Sequence, residues 1–86
     1  MRSYTLAAFW RHYRSLDREI QEQADKQFAL FAQNPFHPSL QFKETGRYWS
    51  VRVSKDYRAL ARRKGGEVFW FWIGPHDEYE DLIARG

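Results

Sequence analysis

The sequence predicts an α+β fold, with two antiparallel helices on one face of an antiparallel sheet of three or four strands and a short C-terminal helix. Two observations predict it. Apolar side chains recur at helical spacing through the first third of the chain, and from residue 48 they alternate as in strands. Because the helical pattern ends before the strand pattern begins, helices on one side of a meandering sheet are expected. The 86 residues have room for a single domain, 1–86, with one modest core.

The N-terminal part of the chain carries two helical patterns, preceded by a short edge strand predicted over residues 2–5. Thr5 is the expected N-cap of the first helix, and Asp17 of the second. The residue before a proline avoids helical backbone angles, so Asn34-Pro35 should end the second helix. The apolar positions of the first pattern are Leu6, Phe9, Trp10, Tyr13 and Leu16, and those of the second are Ile20, Ala24, Phe28 and Phe31.

The middle of the chain reads as strands. One is predicted over 39–43, followed by a turn over 44–47, and a hairpin follows over 48–61. Side chains in a strand alternate between faces. One hairpin face, predicted to be core, therefore holds Trp49, Val51, Val53, Tyr57, Ala59 and Ala61. The other holds Tyr48, Ser50, Arg52, Arg58, Leu60 and Arg62.

Residues 68–73 are apolar on both faces, which predicts a strand inside the sheet with cover on each side. Gly65-Gly66 before it suits the positive φ angles of a tight hairpin turn. Strict alternation places Phe69, Phe71 and Ile73 under the helix pair. It leaves Trp70 and Trp72 for the C-terminal segment or a partner protein to cover. A last helix is predicted over 77–83.

Composition limits the classes of function. Lys and Arg outnumber Asp and Glu by 14 to 11, which permits a nucleic-acid or acidic protein partner without requiring one. The absence of cysteine excludes disulfides and thiolate metal sites and is compatible with a cytoplasmic location. No apolar run approaches the roughly 20 residues of a membrane span. The histidines, at positions 12, 37 and 76, have no metal-ligand spacing, so neither a metal nor a cofactor is expected.

One polar patch has the residues for chemistry on a phosphate. His76 follows Trp72 by four residues, so strict alternation puts both on the same face of the sheet. This is the face that carries Arg52 and Arg58, and Tyr79 lies one helical turn beyond His76. Arginine stabilises charge on a phosphate, histidine transfers protons near neutral pH, and tyrosine stacks on a base or donates a proton. The patch therefore suits phosphodiester cleavage. Neighbours expected to contact RNA are Lys43, Tyr48, Ser50 and Lys55.

Each of these residues also has a purely structural interpretation. Taken from the hairpin alone, the pattern favours the arginines as solvated strand positions. His76 fits a surface or helix-capping role, and Tyr79 fits simple packing against Leu82.

Several segments together resemble the RelE-type toxins of bacterial toxin–antitoxin pairs, and the resemblance covers nearly the whole chain. Its most specific parts are the Tyr57-Arg58 pair on its strand and the ending His76-x-x-Tyr79. The segments that carry it are Leu16, residues 34–40, Phe42-Lys43, and residues 49–53, 56–60 and 70–79.

The resemblance implies an endoribonuclease that cuts mRNA, commonly in the ribosomal A site, and is neutralised by an acidic antitoxin. It implies attack by the ribose 2′-hydroxyl without a metal, leaving a cyclic phosphate and a 5′-hydroxyl. Arg58 matches the arginine that holds the scissile phosphate, and Arg52 matches a basic position on the preceding strand. His76 matches a histidine used for proton transfer in some branches, and Tyr79 matches the aromatic residue near the C-terminus.

The chain departs from RelE proper at Ser50, where that branch places lysine, so His76 is preferred as the general base. A related branch, resembling ParE, shares the fold but inhibits DNA gyrase without cleavage, and it is the alternative. A basic RNA-binding module without activity is a third possibility. The presence of Arg58, His76 and Tyr79 together favours RNA cleavage.

Overall fold

The computed structural model describes residues 1–85 and contains a five-stranded sheet with three helices. In chain order the elements are β1 (Arg2–Thr5), α1 (Ala7–Arg14), α2 (Arg18–Gln33), a 3-10 turn (Pro38–Leu40), β2 (Lys43–Thr45), β3 (Tyr48–Ser54), β4 (Tyr57–Lys64), β5 (Glu67–Pro75) and α3 (His76–Arg85). The strand order is β1-β5-β4-β3-β2, with β1 parallel to β5 and the other pairs antiparallel. The α+β prediction is confirmed, with one more strand than expected and one parallel pairing. Between residues 1 and 85, no helix is both long and apolar enough to cross a membrane.

The sheet is covered on both faces. On one face α1 and α2 contribute Phe9, Ala24 and Phe31 to the main core, which they share with sheet residues such as Val51 and Ala59. On the other face α3 covers a smaller cluster built from Leu60, Trp72 and Tyr79. The alternation predicted for the 48–61 hairpin is therefore confirmed. The second face of the hairpin, which α3 covers, holds a separate small core.

Strand β5 contains a β-bulge that the alternation rule did not predict. Leu60 pairs with Trp72, whereas the next residue of β4, Ala61, pairs with Trp70, so Phe71 is the extra residue. Because a bulge shifts the alternation by one residue, the two tryptophans point to opposite faces. Trp72 lies beneath α3 as predicted, whereas Trp70 lies in the main core.

The bulge overturns three of the predicted positions on β5. Trp70 is fully buried under the helix pair, with its ring edge-on to Phe28 and Phe31 at centroid distances of 5.1 and 5.5 Å. Phe71 packs against the α3 cluster, and Phe69 stacks on Tyr4 of β1. Ile73 lies in the main core as expected.

The helical patterns are confirmed, but neither predicted side-chain cap forms: Asp17 occupies the N-cap position of α2 without a capping hydrogen bond from its side chain, and Leu6 takes the N-cap position expected for Thr5. Helix α2 starts directly after Asp17 and ends before Asn34. Helix α1 begins after Leu6, because Thr5 is the last residue of β1, and the Thr5 hydroxyl accepts a hydrogen bond from the Trp10 indole at 3.0 Å. The side chains of Leu6 and Trp10 remain exposed.

The strand predicted over 39–43 is wrong. Pro38–Leu40 form a 3-10 turn, which the His37 side chain caps by accepting a hydrogen bond from the backbone N–H of Ser39 at 3.2 Å. Gln41 then adopts a left-handed conformation, with φ of 47°, which interrupts any extended run. Strand β2 starts only at Lys43 and takes in Glu44 and Thr45, which were expected in a turn.

Gly74 is required by the packing of Trp72. A Cβ at this position would lie 2.5 Å from Cζ2 of the Trp72 ring. Overpacking of this kind costs about 1–3 kcal/mol, so Gly74→Ala should lower the free energy of unfolding by that amount in urea titrations. Gly66→Ala is the matched control, because nothing lies within 4 Å of a Cβ there. Equal unfolding midpoints for the two variants would contradict this packing.

A hydrogen bond of 2.7 Å from the Tyr13 hydroxyl to Asp25 Oδ1 links α1 to α2. Burial, followed by this bond and the charge of Asp25, raises the pKa of Tyr13 from 10.0 to about 12. Because the pKa of Tyr13 is higher in the folded than in the unfolded state, the protonated hydroxyl contributes to the free energy of unfolding. This contribution is fully present below pH 10 and is lost as pH rises through about 12.

Tyr13→Phe should therefore lower the free energy of unfolding by about 0.5–1.5 kcal/mol at pH 7, the usual net value of a hydrogen bond. Urea titrations of both proteins at a series of pH values should show this difference shrinking between pH 10 and 12. A difference that persists unchanged above pH 12 would show that it does not come from this hydroxyl.

Candidate functional site

The hairpin of β3 and β4 places two arginines directly opposite each other. Arg52 and Arg58 are cross-strand partners near the end of the hairpin, and both are half-buried. Burial, followed by the nearby charge of Arg52, lowers the pKa of Arg58, while Tyr79 and Asp56 act in the opposite direction. Like charges opposite each other destabilise a sheet, and a bound anion would remove this repulsion. The pair is therefore suited to hold a phosphate.

The guanidinium of Arg58 is held by the turn that joins the two strands. Its Nη1 donates to the carbonyl oxygens of Ser54 at 2.7 Å, Tyr57 at 2.9 Å and Lys55 at 3.3 Å. Arg52 Nε donates to the same Ser54 carbonyl at 3.4 Å. Within residues 1–85, Nε and Nη2 of Arg58 donate to no protein group. These two nitrogens can bind phosphate oxygens with a guanidinium that is already in place.

His76 is the first residue of α3 and lies beside this turn. Its backbone N–H donates to the carbonyl of Asp56 at 2.8 Å, and Gly74, two residues earlier, is the cross-strand partner of Arg58. Its Nδ1 lies 3.0 Å from Glu80 Oε1, one helical turn further on, and the side chain is 37% exposed. An imidazole that donates from Nδ1 to Glu80 leaves Nε2 available for proton transfer.

Tyr79 and Ser50 lie beneath this surface. Tyr79 is 6% exposed, packs against Leu60 and Trp72, and donates its hydroxyl to Ser50 Oγ at 3.3 Å. Its ring centroid is 5.3 Å from that of His76. Stacking on a base needs an exposed ring, so the structure instead places Tyr79 where it holds α3 and His76 against the sheet. Ser50, which is 2% exposed, is likewise too buried for the expected contact with RNA.

The remaining predicted residues divide into two groups. Lys55 is exposed in the hairpin turn, and Lys43 is exposed on β2 as the cross-strand partner of Ser50. Tyr48 lies at the opposite end of β3, packed on Phe71 at 5.1 Å with the Arg62 guanidinium 5.7 Å from its ring centroid. The structure thus gathers Arg52, Arg58, His76 and Lys55 around one turn and places Tyr48, at the far end of β3, and Lys43, on β2, outside this group.

Sequence reasoning missed Glu80 and Asp56. The four-residue spacing of His76 and Glu80 was a usable signal, because residues at i and i+4 are neighbours on a helix. The contact of Asp56 runs through its backbone carbonyl, which no side-chain pattern reveals. Across residues 1–85 no three His, Asp or Glu side chains are grouped so that they could hold a metal ion.

A helix pair on one face of a five-stranded sheet is the fold of the small toxins of the RelE/ParE superfamily. Residues 18–81 match the family model of the ParE-like toxin domain, and the chain belongs to this family. No curated protein sequence matches the chain.

Solved structures share the fold at low sequence identity. The structure of YafQ from E. coli BL21(DE3) superposes with a TM-score of 0.71 at 10% identity, covering 92% of this chain and 98% of that one. The RelB–RelE antitoxin–toxin complex of Methanococcus jannaschii gives a TM-score of 0.67 at 14% identity, covering 92% and 96%. The YoeB/ParE toxin of Agrobacterium tumefaciens gives 0.65 at 18% identity, covering 88% and 99%. At these identities the likeness establishes the fold alone.

Proposed function

We propose that this toxin is an endoribonuclease that cuts mRNA in the A site of the ribosome and so stops translation. The observation that carries the proposal is the pair Arg52 and Arg58, with one free guanidinium edge, fastened beside His76 by a shared turn. This arrangement offers positive charge for a phosphate and a group for proton transfer at one place. The action would take place in the cytoplasm, where mRNA meets the ribosome.

The proposed reaction is an attack within the RNA strand and uses no metal. The ribose 2′-oxygen forms a bond to phosphorus as the bond to the 5′-oxygen breaks, leaving a 2′,3′-cyclic phosphate and a 5′-hydroxyl. The proton of the 2′-hydroxyl passes to His76 Nε2, and the departing 5′-oxygen receives a proton from solvent. Arg58 and Arg52 balance the charge that grows on the non-bridging oxygens, and Lys43, the cross-strand partner of Ser50, adds positive charge from the neighbouring strand. Tyr79 acts as a positioning residue through its contacts with His76 and Ser50.

An antitoxin is the proposed partner. The RelB–RelE complexes show toxins of this fold bound to an antitoxin. The net charge of +3 and the paired arginines favour an acidic segment that folds on contact. Such a segment would cover Arg52 and Arg58 or displace α3, and either event would take the proposed site apart.

Inhibition of DNA gyrase without cleavage is the second candidate. It is favoured by one observation, the match of the chain to a ParE-like family model. The oriented His76–Glu80 pair beside the arginines supports cleavage, because binding to gyrase needs no proton transfer.

A cell-free translation reaction with primer extension separates the two candidates. Addition of the purified protein should create new mRNA ends at A-site codons, and a parallel gyrase supercoiling reaction should be unaffected. Intact mRNA together with loss of supercoiling would reject the endoribonuclease and support gyrase inhibition.

A further inference from the structure

Most of the large apolar side chains that remain exposed are gathered along the outer edge of β1. Within residues 1–85 five such side chains are exposed, and four of them belong to this edge, namely Met1, Tyr4, Leu6 and Trp10. Trp10 reaches the edge from α1, because its indole donates to the Thr5 hydroxyl at 3.0 Å. We call β1 together with Leu6 and Trp10 the β1 edge. Exposed apolar residues collected at one place mark an interaction site, whereas scattered ones need no explanation.

The backbone of β1 has hydrogen-bonding groups to offer to a further strand. All four residues of β1 are exposed, and the N–H groups of Arg2 and Leu6 donate to carbonyls of the β5 segment at 2.9 Å. Successive residues of a strand direct their backbone groups to opposite sides, so the N–H and C=O of Ser3 and Thr5 point away from β5. Within residues 1–85 no strand lies on that side. Such an edge is a template for pairing with another chain.

The other edge of the sheet, β2, is better protected against pairing. It has only three residues and includes the charged Lys43 and Glu44, and charged side chains are one of the devices that keep edge strands apart. In β1 the register with β5 runs unbroken from Arg2 to Thr5, without a bulge or a proline, and Arg2 is the single charged residue. Of the two edges, β1 is therefore the one suited to accept a strand.

The β1 edge lies in the part of the chain that carries the positive charge. Residues 1–16 hold three of the 14 basic residues and none of the 11 acidic ones, so the remaining 11 basic and 11 acidic residues cancel. The whole formal net charge of +3 therefore belongs to the segment that forms β1 and α1. Arg14 follows Trp10 by four residues, so both lie on one exposed face of α1.

These features favour an acidic strand over a second copy of this chain. Two copies joined edge to edge would bring both sets of arginines together, and like charges repel. An acidic segment is attracted instead, and its alternating side chains would reach Tyr4 on one face of the sheet and Trp10 on the other. Strand addition is a recurring mode of peptide recognition. Building on the proposed antitoxin partner, we propose that an extended acidic segment of the antitoxin adds to the sheet along the β1 edge.

A segment bound at the β1 edge would leave the paired arginines open. β1 pairs with residues 67–70 of β5, whereas Arg58 is the cross-strand partner of Gly74, near the other end of β5. The β1 edge would thus anchor the antitoxin, and a different part of the antitoxin would have to cover Arg52 and Arg58. The anchored segment alone should therefore not stop mRNA cleavage.

Hydrogen exchange of backbone amides, measured by NMR, tests the anchor with a short synthetic peptide in which glutamate and valine alternate. In the free protein the amides of Ser3 and Thr5 should exchange quickly, and that of Tyr4, which faces β5, more slowly. Because only the unbound fraction exchanges, peptide at about 100 times its Kd should slow exchange at Ser3 and Thr5 by about 100-fold. A peptide in which lysine and valine alternate is the matched control and should protect neither amide.

The role of the arginines is tested by Arg11→Gln/Arg14→Gln. This double variant should bind the glutamate–valine peptide about 2–30-fold more weakly, the range expected for two exposed ion pairs. Lys26→Gln/Arg47→Gln removes the same charge from exposed positions on α2 and in the β2–β3 turn, and it should bind like the parent. Binding to the parent should also weaken as salt rises, because exposed charges are screened.

The outcomes separate this inference from the proposed function. Slower exchange at Ser3 and Thr5 with the acidic peptide alone supports the anchor, even if the parent cuts no mRNA in translation reactions. The anchor is overturned, even if the parent cuts mRNA, by an acidic peptide that does not bind, that binds without protecting these amides, or that the lysine peptide matches. Protection that appears without peptide at raised protein concentration would assign the edge to a second copy and also overturn it. A peptide that protects both amides and stops cleavage would contradict an anchor separate from the arginines.

Discussion

Replacing Arg58 with alanine should lower the single-turnover rate of mRNA cleavage on the ribosome by at least about 100-fold, while binding to the ribosome changes little. Negative charge on the phosphate grows as the transition state forms, so a donor that is already in place stabilises that state more than the ground state. Removing one such donor typically costs about 10²–10³-fold. Arg58 fits this role because its Nη1 is held by backbone carbonyls while Nε and Nη2 face no protein acceptor within residues 1–85.

Two controls make the Arg58 result interpretable. Arg63→Ala removes an exposed arginine from the other end of β4 and should retain most of the activity. Because Arg58 also ties down the turn, the free energy of unfolding of Arg58→Ala has to be measured, and a folded but inactive variant is the expected result. Cleavage at the parental rate by folded Arg58→Ala would show that the site is wrongly placed.

The central hairpin was predictable because a single periodicity fixes it. Val51 and Ala59 alternate with Arg52 and Arg58, so a shift of one residue would bury both arginines. The shared face of the two arginines could therefore be read from the sequence alone, whereas the register shift between Arg52 and Ser54, which sets their pairing, could not.

The bulge in β5 was not predictable for the opposite reason. The residues around Phe71 are apolar on both sides, so either register buries apolar surface and the pattern does not distinguish them. Only the neighbouring elements decide it: Phe28 and Phe31 of α2 pack around Trp70, while Tyr79 of α3 packs against Trp72.

The candidate site was predictable only in part. Strand alternation placed Arg52, Arg58 and His76 on one face of the sheet. It could not show that the packing of α3 on that face would bury Tyr79 and Ser50. Contacts distant in sequence were also invisible, since the side-chain amide of Gln27 in α2 reaches the backbone carbonyl of Arg52 at 2.9 Å only through the packing of α2 on β3. The geometry of the site thus depends on tertiary contacts that carry no local pattern.

Replacing His76 with alanine is the second change expected to have a large effect, a loss of at least about 100-fold in the single-turnover rate. A positioned general acid or base typically contributes about 10²–10⁴-fold. The partly exposed imidazole contacts Glu80 and the ring of Tyr79, so the variant should fold, and unfolding in urea checks this.

Glu80→Gln tests whether the imidazole acts in the orientation that the structure shows. The glutamine keeps an oxygen that accepts from Nδ1 but removes the charge, so the loss should be smaller, about 2–10-fold, as for one hydrogen bond. Asp81→Asn is the matched control, because it removes a carboxylate from the next position of α3 without touching His76, and it should cleave at the parental rate. If His76→Ala cleaves like the parent, proton transfer does not pass through this residue. If Glu80→Gln and Asp81→Asn behave alike while His76→Ala is inactive, Glu80 does not orient the base.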